Sequence, residues 1–333
     1  MKKKFFLAGL VLSLSLVGCC GDDGIPTKGK YSNEVSYAEF DSKLEGIVGN
    51  DALSFGSDSF VAKSRVAYNT TQLLVDENDA KVGNATSKVN YEYNGKHDSV
   101  NDISRVTTKG SSKTVMTLNG ETTKTNDSCS FTRTYQVYMD TPNEEDKETV
   151  SINERDKEYY IVGDYDDHEP AAYLIEPLAL PILFYAFGTA NFENKSQAEK
   201  DKWKFYIDSG LFTAVYTETK IQEKTHSVDG ESVKYADYES TEVDLIQFRG
   251  KNTEGQVEYL SIYFEMVTNK KTSYVSTYED DGFVFTAGQT LTEKSKVTCA
   301  MKITVKNVSL TAIDLTDYES KETDTEKEKY DIF

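Results

Sequence analysis

The sequence predicts an α+β, mostly β protein: one large, curled antiparallel sheet, a half-barrel-like meander, with an N-terminal helix and a central broken helical insertion. Three observations support this fold class. Long runs rich in Tyr, Thr and Val lie on both sides of the chain centre, and tyrosine alone accounts for 22 residues. Asn-Gly and Asp-Gly turn signals separate many of these runs. The most apolar stretch of the folded part, residues 171–192, lies between the two β-rich halves.

The N-terminus has the layout of an export signal. Three lysines at positions 2–4 precede a short apolar run, residues 5–17, which is too short to span a membrane comfortably. The run leads into a four-residue motif that resembles the lipobox of bacterial lipoproteins, Leu16-Val17-Gly18-Cys19. The resemblance implies cleavage before Cys19 and a diacylglycerol on its sulfur, with an ordinary signal peptide or an uncleaved anchor as the alternatives.

This interpretation divides the chain into four parts. We expect a lipoprotein signal peptide over residues 1–18 and a flexible, lipid-anchored tether over residues 19–33. A single β-rich domain follows over residues 34–316, with a helical insertion at 171–203, and a charged tail covers residues 317–333. The expected location is the extracytoplasmic face of the cell membrane, with the N-terminal lipid as the contact to that membrane.

The charge of the chain is strongly acidic. Its formal net charge is −19, and cleavage after residue 18 removes three lysines and no acidic residue, which lowers it to −22. Such a surface repels nucleic acid and anionic lipid headgroups, so we expect no nucleic-acid partner. Membrane attachment is then expected to be hydrophobic, since two acyl chains suffice for a stable anchor.

The first half of the domain begins with an amphipathic helix and continues as strands. Apolar residues in 34–48 recur at helical spacing, and Ser32-Asn33 offers a cap before them. Strands are predicted near 59–75, 87–93, 98–108, 113–118, 130–140, 147–153 and 158–163. Asn94-Gly95 and Asn119-Gly120 predict hairpin turns between strands.

The second half has the same style. A tight hairpin is predicted over 204–218 around Asp208-Ser209-Gly210, and Asp229-Gly230 and Asp281-Gly282 mark further hairpins. Strands are predicted over 232–248, 256–267, 272–278, 282–287 and 296–315. Several exceed the usual strand length of about five or six residues, which favours a meander that curls.

The central apolar stretch predicts two short helices rather than one. Pro177 and Pro181 each remove a backbone donor, so we expect a helix over 171–176, a break, and a second helix from about 178 to 187. A membrane span conflicts with the two prolines and Glu176. Two alternatives stay open: the helices fill the hollow of the sheet as core, or they border an apolar ligand cavity lined by Leu178, Leu183, Phe184 and Phe187.

The layout resembles the LolA/LppX-type lipoproteins. The matching parts are the 34–48 helix, the paired strands 158–163 and 204–216, and the insertion at 171–192 between them. The resemblance implies an antiparallel half-barrel with helices in its concavity, and a protein that carries lipids or lipidated proteins. It carries no binding residues over to this chain.

Two cysteines lie in the body of the domain. Cys129 and Cys299 fall in strand-like runs far apart in sequence. Export permits a disulfide between them if their strands are neighbours. The alternative is two unpaired, partly buried thiols.

Motifs of catalysis and metal binding are absent from the sequence. His97, His168 and His226 lie in polar, turn-like settings without zinc-ligand spacing, which favours surface histidines. The acidic run 164–169 could bind Ca²⁺ but lacks the spacing of an EF-hand loop, so a solvated loop is favoured. No nucleophile, phosphate or dinucleotide motif is present, and no cofactor is expected.

Three function classes follow. The sequence favours a non-enzymatic, lipid-anchored surface protein that binds an apolar small molecule, a lipid or a partner in the concavity of the sheet. The second class is a structural or adhesive surface module with a solid core. The third is a carbohydrate-active enzyme, which would need two carboxylates facing each other across a cleft, about 5–10 Å apart.

Overall fold

The computed structural model describes residues 25–48, 59–75, 81–118, 121–139, 147–164, 184–228, 230–253, 256–280 and 283–321. Over these residues, thirteen strands form one sheet and two short strands pair as a separate hairpin. The sheet is large, curled and mixed, and helices are few. The predicted mostly β, α+β fold class is therefore confirmed.

The first half of the chain contributes six longer strands and one two-residue strand to the sheet. Their alternation of β-branched or aromatic residues with small polar ones suits a sheet with two different faces. The strands are β1 (Glu34–Val35), β2 (Phe60–Val75), β3 (Lys81–Asp98), β4 (Ile103–Leu118), β5 (Glu121–Met139), β6 (Lys147–Asn153) and β7 (Glu158–Asp164).

The second half contains the longest strand of the described residues, with 23 residues. Its strands are β8 (Trp203–Asp208), β9 (Leu211–Val228), β10 (Glu231–Thr253), β11 (Gln256–Tyr274), β12 (Tyr278–Asp280), β13 (Phe283–Phe285), β14 (Thr290–Val305) and β15 (Glu319–Lys321). The predicted hairpin at 208–210 is confirmed, since Gly210 takes a positive φ between the paired strands β8 and β9. Gly230 also takes a positive φ, and β9 and β10 pair on its two sides; Asp229 lies outside the described residues.

The two halves join at a central seam. The order across the sheet is β1-β8-β9-β10-β11-β14-β2-β3-β4-β5-β6-β7-β15. β14 pairs antiparallel with β11 on one side and with β2 on the other, so the last long strand connects the second half to the first. The described neighbours are all antiparallel except β15, which runs parallel to β7.

One predicted turn is wrong. Asn94-Gly95 does not turn the chain; β3 continues through both residues and pairs with β2 and β4 on either side. The reversal occurs at residues 99–102, where Asp102 has a positive φ of 54°. The Asp98 carboxylate fixes this turn, because it accepts hydrogen bonds from the backbone N–H groups of Val100 and Asn101.

The N-terminal helix is present as α1 (Tyr37–Val48). Ser36 caps it, with its Oγ accepting a hydrogen bond from the Glu39 N–H at 3.2 Å. Phe40 and Leu44 of α1 are buried against the sheet. We call the face of the sheet that packs against α1 the inner face, and the opposite face the outer face.

The hydrophobic core lies on the inner face. It joins α1 to alternate residues of the central strands, among them Phe212 of β9, Ile246 of β10, Ile262 of β11 and Met301 of β14. Residues 184–189 are helical and are followed by a 3-10 turn, Phe192–Asn194, and the one-turn helix α2 (Gln197–Lys200). Residues 165–183, with the predicted break at Pro177 and Pro181, lie outside the described residues.

Of the two alternatives for Cys129 and Cys299, the disulfide is wrong, because no S–S bond joins them. They share one row of the inner face, which runs Cys299, Val66, Tyr91, Gly110, Cys129 across β14, β2, β3, β4 and β5. At about 4.8 Å per strand, four strand spacings separate the two by roughly 19 Å along the sheet. A disulfide needs Cα atoms within about 7 Å.

Part of the predicted flexible tether is bound to the sheet. Residues 25–33, which we call the N-terminal strap, cross the outer face. Lys28 pairs with Glu265 at 2.5 Å, and Gly29 is hydrogen-bonded to Gln247. The backbone N–H groups of Ser32 and Asn33 donate to the Asp208 carboxylate. Residues 1–24, with the predicted lipobox, lie outside the described residues.

The C-terminal segment is also held on the outer face. Leu310 donates its N–H to the buried Asp98 carboxylate at 2.8 Å, and Ile313 is hydrogen-bonded through both backbone groups to the Gln136 side chain. Residues 319–321 then add β15 to the sheet edge. The predicted charged tail, residues 317–333, therefore begins as ordered structure, because the Glu319 N–H donates to the Lys157 carbonyl and residues 319–321 pair with β7.

Candidate functional site

The predicted cavity residues fall into three groups. Phe184 contacts three aromatic rings of the core, with centroid distances of 5.7 Å to Trp203 and 5.9 Å to Tyr216 and Phe264. Phe187 is 73% exposed, so its assignment to a cavity wall is wrong. Leu178 and Leu183 lie outside the described residues. At Phe184, aromatic rings therefore fill the space in which a cavity was predicted.

No helix of the described ranges is long and apolar enough to cross a membrane.

Three carboxylates meet on the inner face beside the core. Glu218 of β9 lies directly opposite Glu242 of β10, and Asp244 follows Glu242 on the same face of β10. Directly opposite Cβ atoms in antiparallel strands are about 4.5–5.5 Å apart. Residues two apart in one strand are separated by roughly 6.5–7 Å. We call Glu218, Glu242 and Asp244 the carboxylate cluster.

Two lysines neutralise Glu218. Lys202 Nζ lies 2.8 Å from one carboxylate oxygen and Lys220 Nζ lies 2.5 Å from the other. Hydrogen bonds from Lys202 and Lys220 lower the pKa of Glu218 to about 2, and the same bonds raise the pKa values of both lysines. Glu218 is therefore a fixed negative charge at every physiological pH.

Asp244 has the opposite environment. It is 1% exposed, and its neighbours across the sheet are Tyr216 and Met266. Burial, followed by the charge of Glu242, raises the pKa of Asp244 to about 8. Neither carboxyl oxygen meets a nitrogen or hydroxyl donor among the described residues, and a hydrogen bond with the Glu242 carboxyl adds to the raised pKa of Asp244. A buried carboxyl without a donor is rare in folded proteins and calls for an explanation.

A second carboxyl on the inner face is partly unsatisfied. Glu293 of β14 is 6% exposed; one oxygen lies 3.7 Å from Lys270 Nζ, and the other has no hydrogen-bond partner among the described residues. Burial lowers the pKa of nearby Lys224. The inner face beyond the apolar core is therefore polar and charged, yet largely withdrawn from water.

The cluster can hold a proton and a fixed charge close together. Asp244 retains its proton at neutral pH, whereas Glu218 stays ionised, so the two carboxyls differ in charge while sharing one small region. Because Lys202 and Lys220 each take one Glu218 oxygen, the group left for a ligand is the protonated Asp244 carboxyl, which can both donate and accept a hydrogen bond. Among the described residues, no group of three or more His, Cys, Asp and Glu is arranged to hold a metal ion.

The histidines are less exposed than predicted. His97 is 2% exposed; its Nδ1 lies 3.0 Å from Ser104 Oγ, and its ring lies 5.2 Å from that of Phe60, so its surface assignment is wrong. His226 is half-buried between Tyr235 and Tyr278. His168 and residues 165–169 of the acidic run lie outside the described residues.

Sequence reasoning did not identify the carboxylate cluster. Acidic residues are common in this chain, so Glu218, Glu242 and Asp244 look like solvated side chains when each is considered alone. The alternation of inward and outward side chains along β10 could have identified Asp244. Asp244 shares its parity with Ile246 and Phe248, which are buried, and that parity places its carboxyl on the core face.

No family model and no curated protein matches the chain. Among solved structures, the crystal structure of the outer membrane protease OmpT from Escherichia coli is similar at 8% identity and a TM-score of 0.23, covering 76% of this chain and 98% of that one. A Pseudomonas aeruginosa FadL homologue is similar at 8% identity and a TM-score of 0.15, covering 84% of this chain and 100% of that one.

The match to a protease overturns one expectation. The sequence predicted that the protein is not an enzyme, and we withdraw that prediction because a matched structure is an enzyme. A TM-score of 0.23 transfers no catalytic residue and no substrate to this chain.

Proposed function

We propose that the protein is a lipid-anchored protein of the extracytoplasmic face of the cell membrane, and that it binds a ligand on the inner face of its sheet, beside the carboxylate cluster. The lipobox-like motif ending at Cys19 supports the anchor. One observation supports the ligand: Asp244 is buried, and among the described residues only the Glu242 carboxyl is hydrogen-bonded to it.

The surroundings of Asp244 define the chemistry of this ligand. The protonated carboxyl can donate one hydrogen bond and accept another, so a hydroxyl group, which does both, suits it. Met266 and Tyr216 flank Asp244, and Phe184 packs on Tyr216, so an apolar surface adjoins the polar one. An amphiphile satisfies both requirements, with its polar group at Asp244 and its apolar part along the core edge.

Native mass spectrometry of the mature chain carrying Cys19→Ser tests ligand binding. We expect a co-purified small molecule that is lost in Asp244→Ala and retained in Glu239→Ala, a matched change of an exposed carboxylate on the outer face of the same strand. Absence of any bound molecule, or equal retention in both variants, would contradict the proposal.

Membrane fractionation tests the anchor separately. We expect Cys19→Ser to release the protein from membranes after a high-salt wash, which removes charge-driven binding but not an acyl anchor. Retention of the variant after that wash would show that Cys19 is not the anchoring residue.

A second candidate function is hydrolysis of a glycosidic bond. It is favoured by the pKa of Asp244, which keeps a proton available for a leaving-group oxygen, with Glu242 as a second carboxyl on the same face of β10. Glu242 would act on the sugar or on water. Release of reducing sugar from surface polysaccharides, abolished by Glu242→Gln and Asp244→Asn, is the expected outcome; unchanged release would exclude this pair.

A further inference from the structure

Basic side chains are concentrated on one part of the outer face. The five adjacent strands β14, β2, β3, β4 and β5 all carry lysine or arginine at outward positions, including Lys63, Lys88, Lys96, Lys109, Lys113 and Lys302. We call the outer face of these five strands the basic face. Such a concentration is unexpected in a chain with 56 acidic and 37 basic residues.

The acidic side chains that reach the basic face pair with only some of these cations. Glu92 pairs with Arg65 at 3.4 Å, and Glu154 pairs with Arg105 at 3.2 Å. Glu265, on the neighbouring strand β11, forms an ion pair with Lys296 at 2.5 Å. The lysines at 88, 109 and 113 are exposed and have no ion pair among the described residues.

Like charges also face each other across the strands. Directly opposite positions in the register hold three pairs of cations: Lys63 with Lys302, Lys88 with Lys113, and Lys96 with Arg105. Like charges opposite one another destabilise a sheet. A partner with negative charge would relieve this repulsion, so the pairs indicate an anionic surface.

The N-terminal strap reaches the same side of the molecule. It lies on the outer face, and Lys28 shares the Glu265 carboxylate with Lys296 at the border of the basic face. Cys19 is nine residues before Lys28, a reach of at most roughly 30 Å of extended chain. A lipid on Cys19 would therefore hold the outer face close to the bilayer.

We propose that the basic face lies against the anionic headgroups of the membrane that holds the lipid anchor. This inference rests on the anchor assigned above. It corrects the sequence-based expectation that the protein repels anionic lipid, because net charge describes the whole chain and not one face. The inner face, with its carboxylate cluster, is then directed away from the bilayer.

Vesicle co-sedimentation tests the inference without the acyl chains. The mature chain carrying Cys19→Ser should bind vesicles of phosphatidylcholine with phosphatidylglycerol at low salt, and not vesicles of phosphatidylcholine alone. The triple variant Lys88→Gln, Lys109→Gln, Lys113→Gln should bind on the order of 100-fold more weakly, since each lysine near an anionic surface contributes about fivefold.

A matched variant removes the same charge elsewhere. Lys43→Gln, Lys195→Gln, Lys234→Gln changes lysines of α1, the 3-10 turn and β10, and should bind as tightly as the parent chain. Circular dichroism checks that both variants fold.

Three outcomes would overturn the inference: no binding to anionic vesicles, equal loss in both triple variants, or binding to a soluble polyanion such as DNA without binding to vesicles. The anchor is judged separately by the salt-washed membranes. If the Cys19→Ser protein is lost from the salt-washed membranes and also fails to bind anionic vesicles, the lipid anchor is supported. The proposal that the basic face contacts the membrane is then rejected.

Discussion

Gln247 and Gly29 exchange two hydrogen bonds across 218 residues of sequence. The Gly29 N–H donates to Gln247 Oε1 at 2.7 Å, and Gln247 Nε2 donates to the Gly29 carbonyl at 3.1 Å. Gln136 holds Ile313 in the same way near the C-terminus. Each buried glutamine thus completes the backbone pairing of a terminal segment, as a neighbouring strand would.

Substitution Gln247→Ala should release the N-terminal strap. The change leaves the backbone of Gly29 and the hydroxyl of Thr213 without their partner, and should cost about 1–3 kcal/mol of stability. Limited trypsin digestion should then cut faster after Lys28 and Lys30. Gln222→Ala, an exposed glutamine of β9, is the control; equal cleavage in parent and variant would show that the strap is not held here.

The Asp98 carboxylate should make stability depend on acid pH. The hydrogen bond from Leu310 N–H, with those from Asn101 and Val100, lowers the pKa of Asp98 below 3.8. A lowered pKa means that its contribution is present above that ordinary value and is lost as the pH falls through the folded value. Urea titrations should show Asp98→Ala less stable by about 1–3 kcal/mol at neutral pH. The difference in stability between the parent and Asp98→Ala should narrow in strong acid. A difference that does not change with pH would contradict the lowered pKa of Asp98.

Substitution Asp244→Asn should stabilise the ligand-free protein in alkali. A carboxyl with a raised pKa binds its proton more tightly in the folded state, so its contribution falls as the pH rises from 3.8 towards about 8 and stays low above that. The melting temperature of Asp244→Asn should therefore exceed that of the parent most clearly above pH 8. Glu239→Gln should show no such pH dependence, and a similar trend there would refute the role of burial.

Two glycine substitutions should change stability in opposite directions. A Cβ at Gly110 would lie 2.6 Å from Tyr91 Cε1 and 2.8 Å from Cys129 Sγ, so Gly110→Ala should cost about 1–3 kcal/mol by overpacking. A Cβ at Gly46, inside α1, meets nothing within 4 Å, and Gly46→Ala should gain about 0.5–1 kcal/mol. Chemical denaturation measures both, and a neutral Gly110→Ala would show that the row at Cys129 is loosely packed.

The two body thiols should react at different rates without prior reduction. Cys299 is buried, and burial raises the pKa of its thiol to about 12, whereas Cys129 is half-buried. Iodoacetamide labelling followed by mass spectrometry should modify Cys129 first, and Cys299 only after unfolding. If both thiols of the native protein react only after reduction, that result would support a disulfide between Cys129 and Cys299.

Local patterns in the sequence predict much of this fold. The helical spacing of Phe40 and Leu44 gives α1, and the turn residues at 208–210 give the β8–β9 hairpin. Asn94-Gly95 misleads because pairing with two neighbouring strands outweighs the local turn preference. Pairing between residues far apart in the chain cannot be predicted from these local patterns. Nothing in the neighbourhood of Gln247 reveals that it will meet Gly29, and the opposition of Glu218 and Glu242 depends on a register fixed by tertiary packing.

The pairing of β14 with β2 determines how late in the production of the chain the sheet can form. Phe60 pairs with Val305, so the middle of the sheet cannot form until almost the whole chain has been synthesised. Contacts of such long sequence separation form slowly. Until β14 is available, one edge of β2 stays unpaired and is exposed to aggregation or to a chaperone.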